Sequence, residues 1–378
     1  MNGTLRLLKI TGIPVRVHWS FGILFLAIIL WGWKSGLSIP QICLACFLII
    51  VLFVCVVLHE LGHAKMADYY HIRTHDIIIL PIGGIARLDR LPDRPINEFF
   101  VALAGPAVNL TIAIVVMLVL MAFFGAPPVY LLQSITDIRP INSVYGFLMN
   151  LWQANVLLAA FNMIPAFPLD GGRVFRSLLS MRLGRLRATR IASFTGQLFA
   201  VAIFMHGLWL GDVVEIVIAV FVYFTAASEV RSVNTDFLLS QYRVADIMRP
   251  EFTRIRVSDN LGEAFDSLKR GMESSFLVFF DTSELAGVLD EEAITKAWED
   301  GRLGDTADKH LNTAFITVQP DDPILKIYGL MQQNNYSILP VEVNGEITGV
   351  VDDKAMEALI RLVKVSKGGS LKSNSLRV

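Results

Sequence analysis

Long apolar runs, each closed by a short polar stretch, organise the first part of the chain. They extend from Trp19 to Trp33, Ile39 to Leu61, Phe99 to Phe124, Gly146 to Pro165, Ile191 to Leu210 and Val213 to Ala227. About 20 apolar residues in a helix cross the hydrocarbon core of a bilayer. The pattern predicts about six transmembrane helices, the first and last short by that measure. Between the second and third, "DIIILPIGGIARLDR" (Asp76 to Arg90) is too short to cross. Its β-branched runs, broken by Pro81 and the Gly83-Gly84 pair, predict a short hairpin or a re-entrant segment. Beyond Asn234 short β-rich runs alternate with amphipathic helices, and the order occurs twice, an internal repeat of roughly 60 residues. The chain is thereby expected to divide into 1–235 and 236–365, with repeats near 243–300 and 308–363 and a disordered polar tail at 366–378.

Composition strengthens the membrane reading. The chain is 54% hydrophobic and 18% charged, against about 25% charged for an average soluble domain. The net charge of −1 conceals an asymmetry: 17 basic and 11 acidic residues up to Thr235, then 16 basic and 23 acidic. Basic residues fall in alternate loops. Arg6, Lys9 and Arg16 precede the first span; Lys65, Arg73, Arg87, Arg90 and Arg94 lie between the second and third; Arg173, Arg176, Arg182, Arg185, Arg187 and Arg190 follow the fourth. The opposite loops carry little more than Lys34 and Arg139. Because Lys and Arg are retained on the cytoplasmic side, both termini are expected in the cytoplasm of a multi-pass protein of the plasma or inner membrane. The bilayer is then the first partner, and no nucleic acid is expected. Cys43, Cys46 and Cys55 all fall in one apolar run, as buried hydrophobes rather than a disulfide framework. The N-terminus has no small-residue cleavage site, so the first apolar segment is expected to stay.

The chemistry is concentrated at the end of the second span. In "VCVVLHELGHAKMA" (Val54 to Ala67), His59 and His63 stand one helical turn apart, so both imidazoles leave the same face and can bind one tetrahedral metal ion. Glu60 adjoins the first of them, where a carboxylate can take a proton from an activated water and return it to a leaving amine. Ionisable groups at membrane depth cost a few kcal/mol each and need partners or a wet cavity. A catalytic zinc site keeps three protein ligands and one open position. Asp170, in "FNMIPAFPLDGGRVFR" at the end of the fourth span, is the candidate third ligand. Pro165 and Pro168 break the helix there, and Gly171-Gly172 permits a sharp bend. "LDGG" is also ordinary turn composition. His71 and His75 read as solvated loop residues, and His18 and His206 as interfacial or packing residues.

"HELGH", "GPAVN" (Gly105 to Asn109) and "NMIPAFPLDGG" together resemble the three motifs of the site-2 protease family of intramembrane zinc metalloproteases, in order and spacing over roughly residues 10 to 230. The resemblance implies one Zn2+ per chain held by His59, His63 and Asp170, with Glu60 as general base and Asn162 touching the substrate carbonyl. It implies an endopeptidase that cuts transmembrane or membrane-proximal segments of a membrane-protein substrate, as in regulated intramembrane proteolysis. "GPAVN" itself reads as close helix packing, with Asn109 bridging helices. The repeats, through "ADIM", "SFLVFFDTSELAGVL" and "ILPVEVNGEITGVV", resemble a tandem pair of cystathionine β-synthase (CBS) domains, giving a cytoplasmic α/β appendage to a polytopic α-helical membrane protein. Such pairs bind adenosine nucleotides through a Thr or Ser and an Asp three residues later. Here Asp290 and Ala293, then Asp352 and Ala355, occupy those positions, which argues against nucleotide binding and for a homodimerisation or substrate-docking role. Two other classes fit parts of the pattern: a transporter or channel carrying the same repeats, and a silent protease-like scaffold. The first needs polar residues spread over several spans, and the intact Glu60 speaks against the second.

Overall fold

The computed structural model describes residues 4–81, 83–89, 92, 94–125, 143–271, 273–281 and 284–365. The loop bearing Arg139, as well as Arg90 and the tail 366–378, lies outside them. The chain forms two compact units, Met1–Val233 and Asn234–Val378.

The first unit opens with strands that no hydrophobic span announces: β1 (Thr4–Ile10) and β2 (Ile13–His18), an antiparallel pair. Helices α1 (Phe21–Lys34) and α2 (Ile39–Tyr69) follow. Then come β3 (Thr74–Leu80) and β4 (Gly83–Leu88). The expected segment is therefore a hairpin, and it joins a four-stranded sheet of order β1-β2-β3-β4 in which β2 and β3 run parallel. Asp76, fully buried in β3, binds Arg87 of β4 (Nε to Oδ1, 2.5 Å) and Arg16 of β2 (3.2 Å). One carboxylate thus braces three strands, and β4 is left as an edge.

The remaining helices are α3 (Pro95–Phe124), α4 (Val144–Asn162), α5 (Asp170–Leu183), α6 (Arg185–Leu210) and α7 (Val213–Leu239). Among the described residues, five helices are long and apolar enough to cross a membrane: α2, α3, α4, α6 and α7. The first expected span, α1, has only 14 residues, about 21 Å at 1.5 Å per residue against a core of about 30 Å. The last, expected to be short, has 27 residues, because the helix continues past its apolar part through "SEVRSVNTDFLL".

The fourth span ends earlier than expected, at Asn162, and Asp170 opens a separate helix instead of closing that span. The Gly171-Gly172 pair makes no bend; both residues are helical, and the constraint on them is space. A Cβ at Gly171 would lie 2.3 Å from the Ile164 carbonyl oxygen, and one at Gly172 would lie 2.6 Å from Ala166 carbonyl carbon. The two glycines let the start of α5 sit directly on the Met163–Phe167 backbone. Helices α2 and α3 approach in the same way: a Cβ at Gly62 would meet the Ala104 carbonyl oxygen at 2.8 Å. Small residues at helix contacts are how spans pack in lipid, where apolar burial gives little drive. The cysteines are free, with Cys55 buried and Cys43 exposed rather than buried.

The second unit continues with β5 (Arg254–Arg256), α8 (Leu261–Lys269), β6 (Phe276–Phe279), β7 (Leu285–Leu289) and α9 (Glu291–Glu299). It ends with α10 (Ile324–Asn334), β8 (Ile338–Val343), β9 (Glu346–Asp352) and α11 (Asp353–Val365). Each repeat thus sets a hairpin, β6-β7 or β8-β9, between two amphipathic helices. Leu277, Phe279 and Val288 of the first hairpin pack with Ile338 and Val350 of the second, so the two repeats share a core. Asp290 and Asp352 are helix caps: their Oδ1 atoms accept from Ala293 N (2.9 Å) and Ala355 N (2.8 Å). Asp352 also accepts from Arg249 at 2.6 Å.

Candidate metal centre

Two helices bring the donor atoms of the site together. On α2, His59 and His63 stack one turn apart, both buried. Asp170, first residue of α5, reaches the same point from a segment more than a hundred residues away. His59 Nε2, His63 Nε2 and Asp170 Oδ2 lie 3.1 Å from one another in all three pairings. They are the one group of three or more His, Cys, Asp or Glu side chains among the described residues able to share an ion.

The outer nitrogens decide what that triangle can do. His63 Nδ1 donates to the Val101 carbonyl at 2.7 Å, and His59 Nδ1 donates to Asn109 Oδ1 at 3.3 Å. An amide or peptide oxygen only accepts, so neutral imidazoles making these contacts carry their protons on the outer nitrogens and turn both Nε2 lone pairs inward. Two lone pairs and a carboxylate oxygen converging at 3.1 Å repel one another unless a cation lies among them. The donor set of two imidazoles and a carboxylate suits zinc, and the oxygen partners on Nδ1 are the usual orienting contacts of metal-bound histidine. The residues present therefore fit the ion.

Helix α3 supplies more than packing. A Cβ at Gly105 would lie 2.3 Å from His63 Nε2 and 2.6 Å from His59 Nε2, so its backbone forms one wall of the site. The "GPAVN" motif thus has two tasks: Gly105 makes room for the imidazoles and Asn109 orients one of them. The Val101 carbonyl is a contact that sequence reasoning missed, and no side-chain pattern could reveal a backbone acceptor.

Glu60 faces β4. Its Oε2 accepts from Ala86 N at 3.1 Å, and a Cβ at Gly84 would meet its Cγ at 2.6 Å. The carboxylate therefore lies along the edge strand, on the residue that follows His59. Asn162 ends α4, half-buried, next to the Met163–Phe167 turn that carries the start of α5. His71 and His75 lie outside the triangle; His71 is exposed, whereas His75, expected in a solvated loop, stands on β3 and pairs with Asp89 at 2.5 Å. Arg176, counted from the sequence among the loop arginines, is instead wholly buried.

Comparison with known proteins gives the family. The model of peptidase family M50 matches residues 47–206, and that of the CBS domain matches 244–300 and 309–359. A zinc metalloprotease of Methanocaldococcus jannaschii is 34% identical over 352 residues, covering 93% of this chain and 94% of the relative. Stage IV sporulation protein FB of Bacillus subtilis is 25% identical, over 72% of this chain and 86% of its own. Among solved structures, the site-2 protease from M. jannaschii is 38% identical with a TM-score of 0.44, covering 60% of this chain and 95% of that one. The chain belongs to peptidase family M50. It is an intramembrane zinc metalloprotease followed by a pair of CBS domains.

Proposed function

We propose that His59, His63 and Asp170 hold the zinc, that Glu60 is the general base and acid, and that Asn162 contacts the substrate carbonyl. The observation that carries the reading is the meeting of three inward-facing donor atoms at 3.1 Å, with Glu60 adjacent in sequence. Zinc held by these residues would supply Lewis-acid polarisation of a peptide carbonyl and would acidify water. Glu60 is the side chain that would accept a water proton as the hydroxyl adds to the carbonyl, and return it to the amine as the C–N bond breaks. The Asn162 amide donates to the carbonyl oxygen as charge develops on it.

The substrate is a transmembrane or membrane-proximal segment of another membrane protein, unwound because helical hydrogen bonding shields the bond to be cut. The β4 edge receives it by strand addition: among the described residues β4 has a strand on one side only, and Glu60 lies along it. The chain crosses the membrane several times with both termini in the cytoplasm, as the basic loops indicate. On that orientation the CBS pair is cytoplasmic and acts as a dimerisation or substrate-docking platform. Capping by Asp290 and Asp352 places acidic groups where a nucleotide would bring phosphate, which disfavours nucleotide binding.

The test uses purified protein. Zinc content and cleavage of a membrane substrate are compared for wild type and Glu60→Gln. Retained zinc with cleavage lowered by about 10²–10⁴-fold supports the assignment; equal cleavage refutes it.

A further inference from the structure

One face of α3 addresses both halves of the site. Glu98, Val101, Gly105 and Asn109 recur at helical spacing, and three of them act on the imidazoles as described. Glu98, buried one turn earlier, accepts from Arg176 Nε at 2.7 Å. Arg176 lies on α5, the helix that Asp170 opens, and is the largest wholly buried side chain among the described residues. Its Nη1 donates to Glu229 of α7 at 2.5 Å, and its guanidinium lies 4.9 Å from the centre of the Phe167 ring. Phe167 belongs to the turn on which the glycines of α5 rest.

We propose that Arg176, acting through Glu98, is a positioning residue that keeps Asp170 in register with the histidine pair. The imidazoles are fixed to α3 by Val101 and Asn109, whereas Asp170 rides on a short helix of its own. The position of α5 relative to α3 therefore sets the ligand triangle. A planar guanidinium held by carboxylates on two other helices resists both sliding and rotation of α5, because either motion leaves a buried charge partly unpaired. A lysine keeps the charge but not the fork. The proposal rests on the assignment of His59, His63 and Asp170 as ligands.

Zinc affinity, by competition with a chromogenic chelator, and thermal unfolding are measured on the full chain in detergent. The variants are Arg176→Gln, Arg176→Lys, Glu98→Gln and Ser193→Ala. Ser193 is a control: its hydroxyl donates to the Ala226 carbonyl at 2.6 Å, a buried hydrogen bond that joins α6 to α7 and involves neither Arg176 nor Glu98. Arg176→Gln and Glu98→Gln are expected to weaken zinc binding by about 10–100-fold, the range for loss of an orienting contact. Arg176→Lys should fall between them and wild type, and Ser193→Ala should lower the melting temperature alone. Unchanged zinc affinity in folded Arg176→Gln or Glu98→Gln overturns the proposal, as does an equal loss in Ser193→Ala. Should Arg176→Gln not fold, Glu98→Gln, which keeps an acceptor of the same shape, decides. A wild-type chain that binds no zinc sinks the ligand assignment itself, so the two failures are distinct.

Discussion

Gly105→Ala asks whether the α3 backbone is part of the metal centre. In an ordinary helix interior this substitution stabilises by roughly 0.5–1 kcal/mol. Here the added methyl would stand 2.3 Å from His63 Nε2, 2.5 Å from His63 Cε1 and 2.6 Å from His59 Nε2. Comfortable contact requires about 3.5 Å or more, so the rings or the helix must yield by roughly 1 Å. Overpacking of this kind costs about 1–3 kcal/mol, and the net loss of fold stability is then about 0–2.5 kcal/mol. The site fares worse. An error of about 1 Å in catalytic geometry can cost about 100-fold, and here both proposed histidine ligands move at once. Zinc affinity is expected to fall by at least about 100-fold while the protein stays folded. Chelator competition together with a melting curve reads both quantities. A Gly105→Ala protein that is more stable than wild type and binds zinc equally would falsify the placement of α3 against the imidazoles.

Further outcomes follow from other contacts. Asn109→Leu removes the acceptor from His59 Nδ1 and should weaken zinc binding by about 10–100-fold; unchanged affinity would deny Asn109 an orienting role. Photo-crosslinking from positions 84–86 of β4 should capture the substrate around its cleavage site, and capture from other surfaces alone would end the strand-addition reading. In the second unit, burial first, then Asp352 and Glu357, push the Asp353 acid above its usual range. A carboxyl with a raised folded value binds more protons folded than unfolded, so stability declines as pH rises from its unfolded value through its folded one. Asp353→Asn should therefore raise the melting temperature of that unit at pH 7, and the gain should vanish below about pH 4, near the unfolded value; a gain of equal size at both pH values contradicts this origin.

Much of the site can be read from residue spacing. The interval between His59 and His63 puts two candidate ligands on one helix face, and the apolar run around them makes a chance pair costly. Asp170 can be found because the turn around it combines prolines, glycines and a carboxylate beside a span. Its setting cannot: that it opens α5 instead of ending α4 depends on the packing of Gly171 and Gly172 against the Met163–Phe167 backbone. Arg176 misleads for a related reason. In sequence it is one of several arginines in a basic loop, and only the convergence of Glu98 and Glu229 from distant helices turns it into a buried ion cluster. Strands β1 and β2 leave little trace, since β1 is exposed along most of its length and lacks the half-buried alternation by which strands are recognised. In the repeats, Asp290 and Asp352 are conspicuous as departures from a nucleotide-binding pattern, but their capping role appears only once the helix starts are placed.

The division of the metal centre between α2 and α5 is tested most directly by zinc K-edge X-ray absorption on wild type and Asp170→Ala. Wild type should hold one zinc per chain with two imidazoles and oxygen in its first shell. Asp170→Ala should lose an oxygen ligand and much of its zinc. An identical spectrum and zinc content in the two proteins would contradict the account.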